Sequence, residues 1–146
     1  MSDAVGSVWP LAFVMVAIVF FSGFLAFSVN YNKAYKMKDQ VIYILEKNDN
    51  NYSNSKAEIK EYADKIGYRA SSRYLGRCRY EVDSEIGICY HEVTSGTTMH
   101  GKEEQTTTYV EITTWASLDI PLFAYFFSRI PIFSIDGSTK KIVKIK

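Results

Sequence analysis

The stretch FFSGFLAFSVNYNKAYKMKDQ, residues 20–40, carries the chain from an apolar run into Asn, Tyr and Lys, with no Pro or Gly after Gly23. Whether one helix continues across that change of surroundings decides the fold. Upstream, from Val8 to Val29, only Pro10, Ser22, Gly23 and Ser28 interrupt the apolar character, and none of them is charged. At ~1.5 Å per residue the run from Val8 to Val29 reaches roughly 33 Å, about the thickness of a bilayer's hydrocarbon core. No basic region precedes it, since Asp3 is the only charged side chain ahead of Lys33. The run also exceeds the usual apolar core of a cleaved secretory signal, and no A-x-A-like site follows it. These features predict a transmembrane helix over 8–29 behind an N-terminal tail, 1–7. The alternative, a buried core helix, needs a larger protein around it on every side.

Downstream, Ala34, Met37, Val41, Ile44 and Leu45 recur at spacings of three and four, with Lys36, Lys38, Asp39 and Gln40 between them. That amphipathic stripe continues the phase of the apolar run without a breaker. The spacing therefore predicts one helix from about Pro10 to Lys47, its first half solvated by lipid and its second half packing a protein core. Pro10 suits a first-turn position, where its missing N–H costs little.

The 146 residues are 47% hydrophobic with a mean hydropathy of -0.09, an average that conceals this split. All 17 Lys and Arg lie at or after Lys33, nearly balanced by the acids there, which argues against nucleic-acid binding. Residues 30–146 read as a single α+β domain. NDNNYSNS (48–55) ends the first helix, and Ser55 with Glu58 forms a candidate capping box for a second, short one. Ile59, Tyr62, Ala63 and Ile66 mark its apolar face, and Gly67 its stop. Arg69 to Arg77 reads as a connection. RCRYEV and IGICYHEV around DSE predict a hairpin, TSGTTMHGKEEQ an exposed loop, and TTTYVEITTWASLDI the best strand. PLFAYFFSRIPIF is too short for a second span, and FSID, GST and KKIVKI predict a terminal hairpin. The fold class is thus α+β: a long N-terminal helix with a transmembrane and an amphipathic half, a second short helix, and a small antiparallel sheet.

Cys78 and Cys89 are the only cysteines. A turn centred on Asp83 and Ser84 would set them face to face across two strands. Two cysteines do not make a zinc site, and the spacing is not the CxxC of redox pairs. A structural disulfide in an oxidising compartment and a pair of unpaired buried thiols remain as readings. The disulfide places the domain outside the cytoplasm. The positive-inside rule, applied to Lys33, Lys36 and Lys38 just after the span, places it inside. The two signals conflict.

No GxSxG, HExxH, P-loop or GxGxxG occurs. His91 and His100 read as surface histidines, and Glu81, Asp83 and Glu85 as a solvated turn lacking the oxygen count and Gly of a calcium loop. Asn51-Tyr52-Ser53 is a formal glycosylation acceptor. No enzyme, cofactor or metal site is predicted. The aromatics Trp115, Phe123, Tyr125, Phe126 and Phe127, near Arg129 and Phe133, fit either a core between sheet and helix or an apolar shelf against the bilayer or a neighbouring subunit.

DIPLFAYFFSRIPIFSIDGSTKKI contains Asp119 and Pro121, an aromatic stretch, Pro131, then Gly137 and Thr139. With the membrane helix, the amphipathic continuation and the two-cysteine hairpin, this resembles the TadE-like minor pilins (pseudopilins) of type IV and tight-adherence pilus systems. The resemblance implies a non-catalytic, single-pass component of a pilus or secretion apparatus in the cell membrane, its domain extracytoplasmic, in a membrane complex or a surface filament. Its partners would be the membrane and other pilin-like subunits or secretion-platform proteins. In such proteins the apolar helix half sits in the bilayer before assembly and packs on other pilin helices afterwards. Ser22 and Gly23 would allow the close approach that such packing needs, and Ala34, Met37, Val41 and Ile44 are the helix-packing positions of the amphipathic half. The chain departs from the family at its start: Gly6-Ser7 is the candidate cleavage junction, no Lys or Arg precedes it, and the fifth residue after it is Leu11 where pilins carry Glu. A different reading is a bitopic membrane protein whose domain binds a ligand or partner and polymerises with nothing; a third is a membrane-tethered enzyme without recognisable motifs.

Overall fold

Helix α1 (Ser2–Lys47) runs without a break for 46 residues, through the change from apolar to polar sequence at Val29. The computed structural model describes residues 2–70, 72–100, 103–116 and 133–145. The helix begins earlier than the sequence predicts, taking in residues 2–7, so Pro10 lies inside it and not in its first turn. Pro10 forgoes a main-chain bond to the Gly6 carbonyl, a loss of one link close to the helix end. In the second half Ala34, Met37, Val41, Ile44 and Leu45 are all buried, as their spacing predicts. This stripe packs on α2 (Tyr52–Ile66) and on one face of an antiparallel sheet.

The turn between the helices is tight. Asp49 and Asn50 take left-handed conformations with φ of 55° and 58°, which short polar side chains tolerate better than most. Asn51, not Ser55, caps α2: its side chain accepts a bond from the Asn54 N–H, while Ser55 is buried one turn on and donates to the Asn51 carbonyl. Gly67 closes α2 at φ 64°, its N–H reaching the Ala63 and Asp64 carbonyls. A short helix, α3 (Ser72–Leu75), lies in the connection to the sheet.

The sheet holds β1 (Glu81–Asp83), β2 (Ile88–His100), β3 (Glu103–Trp115), β4 (Ser134–Ser138) and β5 (Ile142–Ile145), with β3 between β2 on one edge and β4 and β5 on the other. TSGTTMHGKEEQ is therefore strand on both sides of residues 101 and 102, not loop, with a bulge between Ser95 and Thr97. FSID and KKIVKI do not form a hairpin either. β4 and β5 follow each other along β3, with Glu111 opposite Ser138 and Thr108 opposite Ile142, so one extra residue is inserted between them. This is a bulged strand. Thr139 bridges the irregularity: its N–H donates to the Val110 carbonyl, and its hydroxyl accepts from the Val110 N–H at 2.9 Å. The end of α1 satisfies the remaining groups. Glu46 accepts from the Lys140 N–H, and the Asn50 amide donates to the Lys140 and Thr108 carbonyls. Each buried main-chain group so paired avoids a desolvation cost of about 1–3 kcal/mol.

These contacts also fix how the sheet lies on α1. The Thr114 hydroxyl donates to the Ala34 carbonyl, the Gly137 backbone passes Lys38 and Ile42, and Lys140 meets Glu46. The Trp115 end of β3 thus points toward the apolar half of the helix. There the Ala116 N–H donates to the Phe133 carbonyl, and the Phe133 ring lies 5.5 Å from that of Phe27.

The β1–β2 turn spans 84–87, centred two residues later than the sequence suggests. The Asp83 carboxylate accepts the Glu85 and Ile86 N–H groups, and the Gly87 N–H reaches the Asp83 carbonyl at 2.7 Å. Gly87 sits at φ 84°, where an added Cβ would lie 2.7 Å from the Ala70 Cβ. Gly87→Ala is expected to cost about 3 kcal/mol through strain and overpacking. In a melt of the detergent-solubilised chain this corresponds to a fall of about 10 °C in midpoint; an unchanged midpoint would remove Gly87 from the determinants of the turn.

Candidate functional site

From Val8 to Leu25 the large apolar side chains of α1 are exposed. Trp9 is 80% and Phe13 73% exposed, and large apolar side chains project on all sides of the helix. Among the described residues this helix alone is long and apolar enough to cross a membrane. Ser22 keeps its hydroxyl satisfied within the helix by donating to the Ile18 carbonyl at 2.7 Å, the usual way a serine is tolerated in an apolar span. Gly23 is buried while the residues flanking it are exposed. Ala34, Met37, Val41 and Ile44, by contrast, are consumed by the chain's own core. Of the six residues read as helix-packing positions, Ser22 and Gly23 alone lie in the bare half.

One predicted surface turn is a structural junction instead. Asp83 is buried, and its carboxylate accepts from the Tyr52 hydroxyl and the Lys56 ammonium, both at 2.9 Å, besides the two turn amides. Glu85 pairs with Lys56 and Lys60, so the turn is bound to α2 by a row of charges. Tyr52 stacks on Tyr90 with ring centroids 3.7 Å apart, and its N–H donates to Glu92. Burial alone would raise the Asp83 pKa, but hydrogen bonds from Lys56, Tyr52 and the Ile86 N–H outweigh it and hold the carboxyl below its ordinary value. Tyr52 is pushed well above the ordinary phenol value by burial and by the Asp83 charge. Tyr90 is pushed up to about 12 by its bond to Glu81 and by burial. The DSEIG sequence carried a signal for this junction: an Asx turn with Gly four residues after Asp.

Cys78 and Cys89 lie at disulfide distance, with Cα atoms 5.8 Å apart. They are not cross-strand partners. Cys89 is opposite Val82, and Cys78 precedes β1, so the link ties the 69–80 connection to the outer face of the sheet. Trp115 is packed there, 8% exposed, its indole N–H pointing at the Cys89 sulfur and its ring stacked on Tyr74. It is therefore buried on the outer face of the sheet, neither between sheet and helix nor on an exposed shelf. Phe123, Tyr125, Phe126 and Phe127, together with Asp119, Pro121 and Pro131, lie outside the described residues. Tyr68 joins the layers: its hydroxyl donates to the Gly87 carbonyl and accepts the Trp115 N–H, and burial pushes its pKa up to about 12. On the outer face a groove of about 570 Å³ has Arg77 and Arg79 on one side and Ser134 and Asp136 on the other, with Cys89 and Trp115 among the residues between. His91 is stacked on Tyr80 at 3.9 Å. Among the described residues, no group of three or more His, Cys, Asp or Glu is placed to hold a metal ion.

The sign of the pH dependence follows from Asp83. Its folded pKa is depressed, so its contribution to stability is full above the unfolded carboxylate value and is lost as pH falls through the folded one. Glu85, lowered by Lys60 and Lys56, acts in the same direction. The melting midpoint is expected to fall as pH is taken from about 5 to about 3, and Asp83→Asn to start lower at neutral pH with a shallower acid slope. Parallel curves for the two proteins would show that Asp83 is not the group titrating. Comparison with family models, with curated proteins and with solved structures matches nothing.

Proposed function

We propose that this chain is a single-pass membrane protein acting without catalysis, as a pilin-like assembly subunit whose bare helix half is the contact for other subunits. The observation that carries the reading is the division of α1: one uninterrupted helix, apolar and exposed to Val29, buried on one face from Ala34 onward. That division matches what the resemblance to TadE-like minor pilins implies, a helix solvated by lipid before assembly and by neighbouring helices afterwards. Such exchange needs small residues where backbones approach, and Ser22 and Gly23 supply them.

The cysteine pair at disulfide distance supports an extracytoplasmic domain, since such links persist in oxidising compartments. The opposing lysine signal is weakened by Lys38. Its side chain is only 13% exposed, its stem lies over Gly137, and Asp39 pairs with its ammonium at 3.0 Å. The decisive experiment is labelling of Cys78 and Cys89 in intact cells with a membrane-impermeant maleimide. Labelling without permeabilisation, and only after reduction, is the expected result. Labelling that needs permeabilisation but no reductant would place free thiols in the cytoplasm and end the pilin-like reading.

The outer groove favours a second reading, a bitopic protein whose domain binds a partner through Arg77 and Arg79. Gly23→Leu separates the two. Under the first reading the variant still fractionates with membranes but shifts from high-mass complexes to the monomer on native gels. Complexes that survive Gly23→Leu and are lost in Arg79→Glu would transfer the function to the groove.

A further inference from the structure

Four of the five arginines, Arg69, Arg73, Arg77 and Arg79, fall in eleven residues, and no acid occurs between Asp64 and Glu81. The fold brings this segment back to the start of the domain. After α2 the chain returns to α1 at Gly67, where an added Cβ would lie 3.7 Å from the Lys33 ammonium. Lys33 stands four residues beyond Val29, about 6 Å along the helix, which is about the width of a bilayer's headgroup layer. Lys36, Lys65, Arg69 and Arg77 are exposed. The Phe27–Phe133 contact independently sets this rim of the domain against the apolar run itself. Tyr74 on Trp115, and Cys78 beside Cys89, hold the end of the connection to the sheet, and Arg77 lies between these two contacts.

We infer that the rim formed by Lys33, Lys36, Lys65, Arg69 and Arg77 is a contact surface for anionic lipid headgroups. The inference rests on the membrane anchoring proposed above, though not on which side the domain lies. Its occupant is chosen by position and charge together. A cationic rim that begins at Lys33, about one headgroup width from the end of a span, meets phospholipid phosphates before any soluble polyanion, and each cation near such a surface adds to its attraction. Lys and Arg stems suit the place, since they lie along apolar surface while the charge reaches the phosphate.

The test uses the full chain in nanodiscs of phosphatidylcholine alone or mixed with phosphatidylglycerol, reading amide hydrogen exchange over 67–79. Exchange there is expected to slow about fivefold or more in the anionic discs, and the slowing to vanish at high salt. Lys36→Gln, Lys65→Gln and Arg77→Gln combined should abolish the difference with the melting midpoint unchanged, while Lys140→Gln with Lys141→Gln, at the far end, should retain it. Equal exchange in both discs overturns the rim contact and leaves the anchor standing. Slowing in neutral discs on adding inorganic phosphate reassigns the site to a free anion and overturns the lipid. A chain that does not migrate with the discs overturns anchor and rim contact together.

Discussion

Because α1 is continuous from Ser2 to Lys47, whatever packs on its second half is held in a fixed orientation to its first. A flexible linker after Val29 would have let the domain tumble at the end of a tether; an unbroken helix does not permit that. The sheet is attached to the helix at three heights, through Thr114 at Ala34, Gly137 at Lys38 and Ile42, and Lys140 at Glu46. The Phe133 ring then reaches down to Phe27, inside the apolar run. A domain seated this low meets whatever surrounds the apolar run directly, and the continuous helix links that run to the sheet.

The helix alone could not give the sheet a register. Two polar junctions do that, one at each end of the contact. At the far end, the bulge between β4 and β5 exposes main-chain groups that only Thr139, Asn50 and Glu46 satisfy, so a slip of β5 along β3 would strand them. On α2, Asp83 has four donors converging on one carboxylate, and a shift of the hairpin by one residue would bury that charge without them. Met37, Val41 and Ile44 are among the fully buried side chains of the core, but their apolar contacts are interchangeable in a way these bonds are not.

The legible parts of the chain were those with a one-sided environment. Ala34, Met37, Val41, Ile44 and Leu45 show their role because one face is buried and the other wet, which imprints a helical period on the sequence. The apolar run is legible for the opposite reason, having no polar face at all. The strands on either side of residues 101 and 102 are hard to read because their sequence is rich in Thr and has no alternation of apolar and polar residues. Gly137 looked like a turn residue, yet it serves a close approach to Lys38 and Ile42. Asn51 and Ser55 are equally good caps on paper. The choice fell to the left-handed turn at Asp49 and Asn50, which delivers the chain to the helix four residues before Ser55. Asp83 was read as solvated because its partners, Tyr52 and Lys56, are about thirty residues away, and sequence neighbours say nothing of them.

The same contrast bears on how the two cysteines should be viewed. A link between adjacent strands would add little to a hairpin that main-chain bonds already align. Placed instead between Cys89 and the segment before β1, it fastens an arginine-rich connection that carries α3 and a few turn bonds of its own. Closing a loop of this length restricts the unfolded chain by about 3 kcal/mol in the loop-entropy account. Its larger consequence is local. With Cys78 held at the sheet, Tyr74 on Trp115, and Trp115 in turn bonded to Tyr68, the connection becomes a layer of the domain rather than a loop over it. Arg77, set between Tyr74 and Cys78, is thereby held in place relative to the sheet, and such preorganisation lowers the ordering cost of any contact it makes.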